Sequence, residues 1–150
     1  MFRTFRKKNA GFTLLEMLLS VSVIAILTSI GTPVYQSFQV RNDLDVSTAT
    51  LVQNLRRAQI LASASSFDIN WGVHVEVGAI TLFKGTSFLT RDNTYDEIFE
   101  LSPSITPSGL TDIVYQKFTG KPNITGDIIL SSNINEIRTI TINEKGTISF

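Results

Sequence analysis

The 150-residue chain contains no cysteine and a single histidine. Without cysteine there is no disulfide framework, no thiol nucleophile and no thiolate metal ligand. With His74 alone, neither a histidine-rich metal site nor a Ser-His-Asp triad is easily built. Glycine-rich phosphate loops are missing too, because Gly109, Gly120 and Gly126 stand singly among turn residues. No segment is low in complexity and no long period repeats. The most informative absence is of charge. From Met17 through Val40 there is no Asp, Glu, Lys or Arg. As a helix, this stretch reaches roughly 36 Å, enough to cross a bilayer core.

What surrounds that gap is specific. Arg3, Arg6, Lys7 and Lys8 precede it without any acidic residue, which by the positive-inside rule keeps the N-terminus cytoplasmic and exports the rest. Gly11 and Phe12 follow, and Glu16 stands at the fifth position counted from Phe12. A carboxylate near the start of a membrane span costs about 2.5 kcal/mol or more unless it is paired, so Glu16 calls for a functional reason. Cleavage after Gly11 would create an α-ammonium on Phe12, four residues before Glu16 and on the same helical face. A neighbouring subunit displaced by about one turn could present the same amine, and we favour this intermolecular geometry because the helix start is already a positive end.

The segment Gly11-Phe12-Thr13-Leu14-Leu15-Glu16 resembles the class III, prepilin-type signal of type IV pilins and type II secretion pseudopilins. The resemblance implies that Gly11 and Phe12 flank the site cut by prepilin peptidase, which also methylates Phe12. It further implies that Glu16 is the assembly acid, paired with a neighbour's amine. A secretory signal cut after Gly31 leaves Glu16 inside the apolar region, and a plain single-span anchor leaves Gly11-Phe12 and Glu16 unexplained. Removing the leader takes four of the thirteen basic residues, leaving nine against thirteen acidic ones, a net −4. That balance argues against a strongly basic nucleic-acid surface.

The expected organisation is a leader over 1–11, a transmembrane or filament-core helix half over 12–40, an amphipathic half over 41–66 and a β domain over 67–150. Gly31 and Pro33 are candidates for a helix hinge, since proline removes a backbone donor and crowds the preceding turn. Leu44, Thr48, Leu51, Leu55, Ala58 and Ala62 recur at intervals of three and four, a buried stripe, while Arg41, Asp43, Asp45, Arg56 and Arg57 fall off it. The Arg56-Arg57 pair reads as solvated charge near the helix end. From Phe67 the period becomes two, with Val73, Val75 and Val77 facing one way and His74 and Glu76 the other. Further strands are expected near 80–84, 98–101, 112–118 and 127–130, with a terminal hairpin over 138–150 turning at Gly146. Pro103 and Pro107 leave little room for regular structure between them. The fold class is therefore α+β and pilin-like: one long helix, about 12–63, packed on an antiparallel β domain of roughly seven strands.

Leu55-Arg56-Arg57-Ala58, Trp71-Gly72-Val73, Phe118-Thr119-Gly120-Lys121-Pro122 and Ile142-Asn143-Glu144-Lys145-Gly146 are similar to segments of the minor pilin-like family called GspH/FimT. That resemblance implies a structural subunit, not an enzyme, needing no cofactor. Its partners would be other pilin or pseudopilin subunits, prepilin peptidase and the inner membrane, which the chain crosses once before its β domain enters a filament in the periplasm or outside the cell. The alternative is a DNA- or ligand-binding minor pilin of a DNA-uptake pilus. For nucleic acid the candidates are Arg138 and Lys145, with Lys117 and Lys121 nearby in sequence and the acids Glu136 and Glu144 interleaved. For a metal, Asp92, Asp96 and Glu97 could offer oxygen ligands to calcium, but the spacing lacks the usual calcium-loop pattern, and a solvated acidic loop is the simpler reading. Asn123-Ile124-Thr125 fits a glycosylation sequon.

Overall fold

The structure, a computed structural model, describes residues 11–64 and 68–150, with the side chains of residues 30–33 outside that description. The chain divides into two units, Met1–Gln36 and Ser37–Phe150. A single helix, α1 (Leu14–Ser63), supplies residues to both.

Among the described residues, the first unit holds the early turns of α1 and the three residues before them. Every residue from Gly11 through Ser29 is exposed. Hydroxyls in this stretch turn back on their own helix: Ser20 Oγ donates to Glu16 O at 2.7 Å, Ser22 Oγ to Leu18 O at 2.7 Å and Ser29 Oγ to Ile26 O at 2.8 Å. Polar groups are thereby satisfied without leaving the helix, as a hydrocarbon environment requires. The helix backbone continues through Gly31 and Pro33. The hinge expected there involves side chains that lie outside the described residues.

In the second unit the stripe expected from spacing is buried in full, and it is wider than expected. Leu44, Leu51, Leu55, Ala58 and Ala62 lose all exposure, and Thr48, Val52, Asn54 and Ser47 join them. The extra width reflects two sheets that both need covering. The first contains β1 (Trp71–Glu76), β2 (Ala79–Lys84), β3 (Glu97–Glu100) and β5 (Asp112–Tyr115), ordered β3-β2-β1-β5. The second contains β4 (Ile105–Gly109), β6 (Gly126–Ser132), β7 (Ile137–Ile142) and β8 (Ile148–Ser149), ordered β4-β6-β7-β8. All named pairings are antiparallel. Val73, Val75, Ile80, Leu82, Ile113 and Tyr115 from the first sheet meet Ile105, Ile128, Leu130, Ile140 and Ile142 from the second around the helix stripe.

Several expectations need correction. The α+β expectation itself holds: among the described residues eight antiparallel strands form two sheets, close to the roughly seven strands expected. Val77 does not continue the apolar row of Val73 and Val75: β1 ends at Glu76, which pairs with Ala79, so Val77 and Gly78 make the two-residue turn and Val77 is exposed. Gly78 takes φ +90, a conformation suited to glycine. The stretch holding Pro107 is strand β4, since Pro107 pairs in register with Leu130 at a sheet edge, where a missing N–H donor is tolerated. The helix begins at Leu14 because Thr13 caps it.

Candidate processing and assembly segment

Gly11, Phe12 and Thr13 are not helical. Thr13 Oγ1 accepts from the Glu16 backbone N–H at 3.3 Å, and Thr13 O accepts from Met17 N at 3.2 Å. Thr13 is thus the N-cap, and Thr-x-x-Glu is the sequence pattern of a capping box, a local signal beyond those named from the sequence. The cap leaves the Gly11–Phe12 peptide outside the helix and sets Glu16 in the first turn. Exposed Phe12, Leu14, Leu15, Leu18 and Leu19 surround Glu16. The helix passes length and composition criteria for a membrane span, with a mean hydropathy of 2.1 over its most apolar 18 residues, none of it buried against the rest of the chain. An exposed apolar surface this continuous requires lipid or other subunits.

The other candidates are distributed as follows. Asp92, Asp96 and Glu97 do not converge on a common point. Asp92 Oδ1 accepts from the Thr94 hydroxyl at 2.6 Å and the Thr94 N–H at 3.1 Å, and these bonds hold its carboxyl below the usual carboxylate range. Asp96 accepts from Arg91 Nε at 2.7 Å, and Glu97 receives both arms of Arg57 at 2.5 and 2.6 Å. Each carboxylate has its own donor, although Asp96 Oδ1 is buried without a partner, and no metal-holding cluster exists among the described residues. The Arg57 contact also corrects the reading of Arg56-Arg57 as merely solvated: Arg57 clamps α1 to the edge strand β3 with a bidentate fork.

Arg138 and Lys145 are not brought together. Arg138 pairs with Asp45 of α1 at 3.0 Å, whereas the Lys145 carbonyl accepts from Gln59 Nε2 at 3.1 Å. Asp45 and Gln59 lie fourteen residues apart on the helix, about 21 Å along its axis. Lys117 is engaged by Asp68 at 3.0 Å.

Three further arrangements escaped the sequence reading. Gln59 Nε2 also donates to Gly120 O at 3.1 Å, so one carboxamide holds a turn from each sheet region, with Gly120 at φ +61 and Gly146 at φ +76. His74 lies on the outer face of β1 as alternation requires, yet it is covered: its ring stacks on Phe88 at 3.8 Å and Nδ1 meets Asp112 Oδ1 at 2.6 Å. Arg91 covers Phe88 in turn, 3.7 Å from its ring centroid. Apart from Arg91 and Phe88, which are three residues apart, these contacts join residues distant in sequence, so no local pattern announces them. In the core, the Tyr115 hydroxyl is buried without a hydrogen-bond partner, and burial raises its pKa.

A family model described as the prokaryotic N-terminal methylation motif matches residues 6–32. The matched span contains the cap, the Gly11–Phe12 peptide and Glu16. Together with the fold, the match supports a type IV pilin-like protein, made as a precursor of the pilin or pseudopilin type. Such a motif implies processing by prepilin peptidase and assembly with other pilins, and the apolar helix fits a single-pass inner-membrane anchor. No curated protein and no solved structure matches the chain.

Proposed function

We propose that this chain is a minor pilin or pseudopilin of the GspH/FimT type, cut between Gly11 and Phe12 and packed by its N-terminal helix into a type IV pilus or a type II secretion pseudopilus. The observation that carries the reading is the apolar helix stretch, exposed from Leu14 through Ser29, that begins directly after the capped Gly11-Phe12 segment and carries one charged residue, Glu16. Water added across the Gly11–Phe12 amide leaves a carboxylate on Gly11 and an ammonium on Phe12. The Phe12 ammonium of one subunit then neutralises Glu16 of another, so register is chosen by relieving an otherwise unpaired charge among apolar helices. Gly31 and Pro33 supply the point where the helix loosens during packing. The two-sheet domain faces outward.

Intact-mass measurement of the membrane-extracted protein tests the reading. The expected mass is that of a chain starting at Phe12 with one added methyl group; a chain retaining residues 1–11 overturns it. Gly11→Val should leave the precursor uncut. Glu16→Ala should be cut normally yet fail to enter filaments, and normal entry would remove Glu16 from the mechanism. The alternative, a DNA-binding minor pilin, has weaker support, because Arg138 is engaged by Asp45 and lies far from Lys145. Salt-dependent DNA binding lost on neutralising Arg138 and Lys145 would favour that alternative.

A further inference from the structure

Two sheets of four strands have four edges, and two of these are closed. At β5 the Val114 N–H donates to Asn123 Oδ1 at 2.9 Å and Asn123 N donates to Val114 O at 2.8 Å, so the segment after Pro122 covers that edge. At β4 Pro107 removes a donor. Among the described residues the edges at β3 and β8 carry no such device.

Register shows what these two edges offer. Asn143 N donates to Thr147 O, which makes 143 and 147 a hydrogen-bonded pair; the next pair, Ile142 and Ile148, is therefore non-hydrogen-bonded, and the Ile148 N–H and C=O point away from β7. They border a groove of about 340 Å³ between β8 and α1, lined by Arg56, Gln59, Ile60, Thr147 and Ile148. Ile60 and Phe150 are exposed beside it. Arg56 has no acidic partner among the described residues, its one contact being Phe150 at 6.0 Å. On β3, Leu101 N bonds to Gly78 O, so by the same alternation Ile98 and Glu100 direct their backbone groups outward. Ile98 and Glu100 are exposed, and Glu100 has no charge partner among the described residues.

We propose that the β3 edge of one copy of this chain pairs with the β8 edge of a second copy, with Ile98 against Ile60 and Phe150 and Glu100 against Arg56. Each edge has unpaired backbone groups, an exposed apolar side chain and a charge opposite to the other's. The edges differ, so the contact between two copies is heterologous and not a closed two-fold dimer. The proposal rests on the assembly reading above and adds a lateral contact between β domains to the helix packing.

The cysteine-free chain allows a clean test. Full-length Ile98→Cys and Ile60→Cys are produced together in the same membranes and oxidised. The expected product is a disulfide-linked dimer that forms only in the mixture, and not when Thr106→Cys on β4 replaces Ile98→Cys. Arg56→Glu in the Ile60→Cys partner should reduce the product about fivefold, and Glu100→Arg in the other partner should restore it. Absence of a mixed dimer, or equal yield with the β4 control, overturns the edge pairing. If filament entry remains normal in that case, the assembly reading stands without it; if cleavage at Gly11 also fails, the assembly reading itself falls.

Discussion

Between Leu14 and Ser29 every residue of α1 is exposed, whereas between Leu44 and Ala62 the same helix buries a broad stripe under two sheets. Backbone geometry is shared, so the difference lies in side-chain chemistry. The first stretch is apolar on all sides and has no inner face, which makes it a helix for lipid or for other helices. The second alternates apolar and charged positions and uses its flanking charges to grip its own domain, through Arg41–Glu136 at 2.8 Å, Asp45–Arg138 at 3.0 Å and Arg57–Glu97. One helix thus holds two different solvent contracts in sequence, and the Glu16 carboxylate marks the start of the first.

The comparison can be broken by mutation. Trp71 is the single tryptophan and is buried in the second unit, so its fluorescence in detergent-solubilised full-length protein reports unfolding of that unit. Leu55→Ala should lower its stability by about 3 kcal/mol, as cavity-forming substitutions do. Leu18→Ala should leave the same transition within about 0.5 kcal/mol; an equal loss from both would erase the distinction between the halves. Next in size is Gly146→Ala, expected to cost about 2 kcal/mol, because φ is +76 and the added methyl meets the Gln59 carboxamide. Gln59→Ala should cost about 1 kcal/mol, since the Gly120 and Lys145 carbonyls both lose their donor.

A subtler contrast concerns pH. Tyr115 has its pKa raised by burial, so its contribution to stability is fully present below the unfolded value of 10.0 and is lost as pH rises through the higher folded value. Urea midpoints should therefore decline above pH 10 in the parent chain and decline less in Tyr115→Phe, which at pH 7 should match or exceed the parent because it also removes an unpartnered hydroxyl. A steeper alkaline loss in the Phe variant would contradict this assignment. Smallest of all is Arg57→Ala: both partners are nearly half exposed, and solvent screening limits the loss to about 0.5 kcal/mol despite the bidentate geometry.

Reading the sequence succeeded where the signal was local. The α+β order, the turn at Gly146 and the buried stripe through Leu44, Leu51, Leu55, Ala58 and Ala62 follow from periods of 3.6 and 2 that neighbouring residues carry among themselves. It failed at Val77, where alternation runs one residue past the strand into a turn, and at Pro107, where a residue hostile to central strands is accommodated at an edge. Whether a strand is central or marginal depends on partners far along the chain.

The segment from Lys7 to Pro33 is the part that sequence alone determined: leader charge, Gly11-Phe12, the Thr13 cap, Glu16 and the charge-free run are consecutive, and their chemistry depends on spacing within a few turns of one helix. Tertiary structure alone decided the pairing of strands into two sheets, the reach of Gln59 to two turns, the separation of Arg138 from Lys145, the covering of His74 and the two edges left open at β3 and β8. Most of these rest on contacts between residues distant in the chain, and such contacts are fixed by the packing of a shared core, which no local pattern of residues encodes.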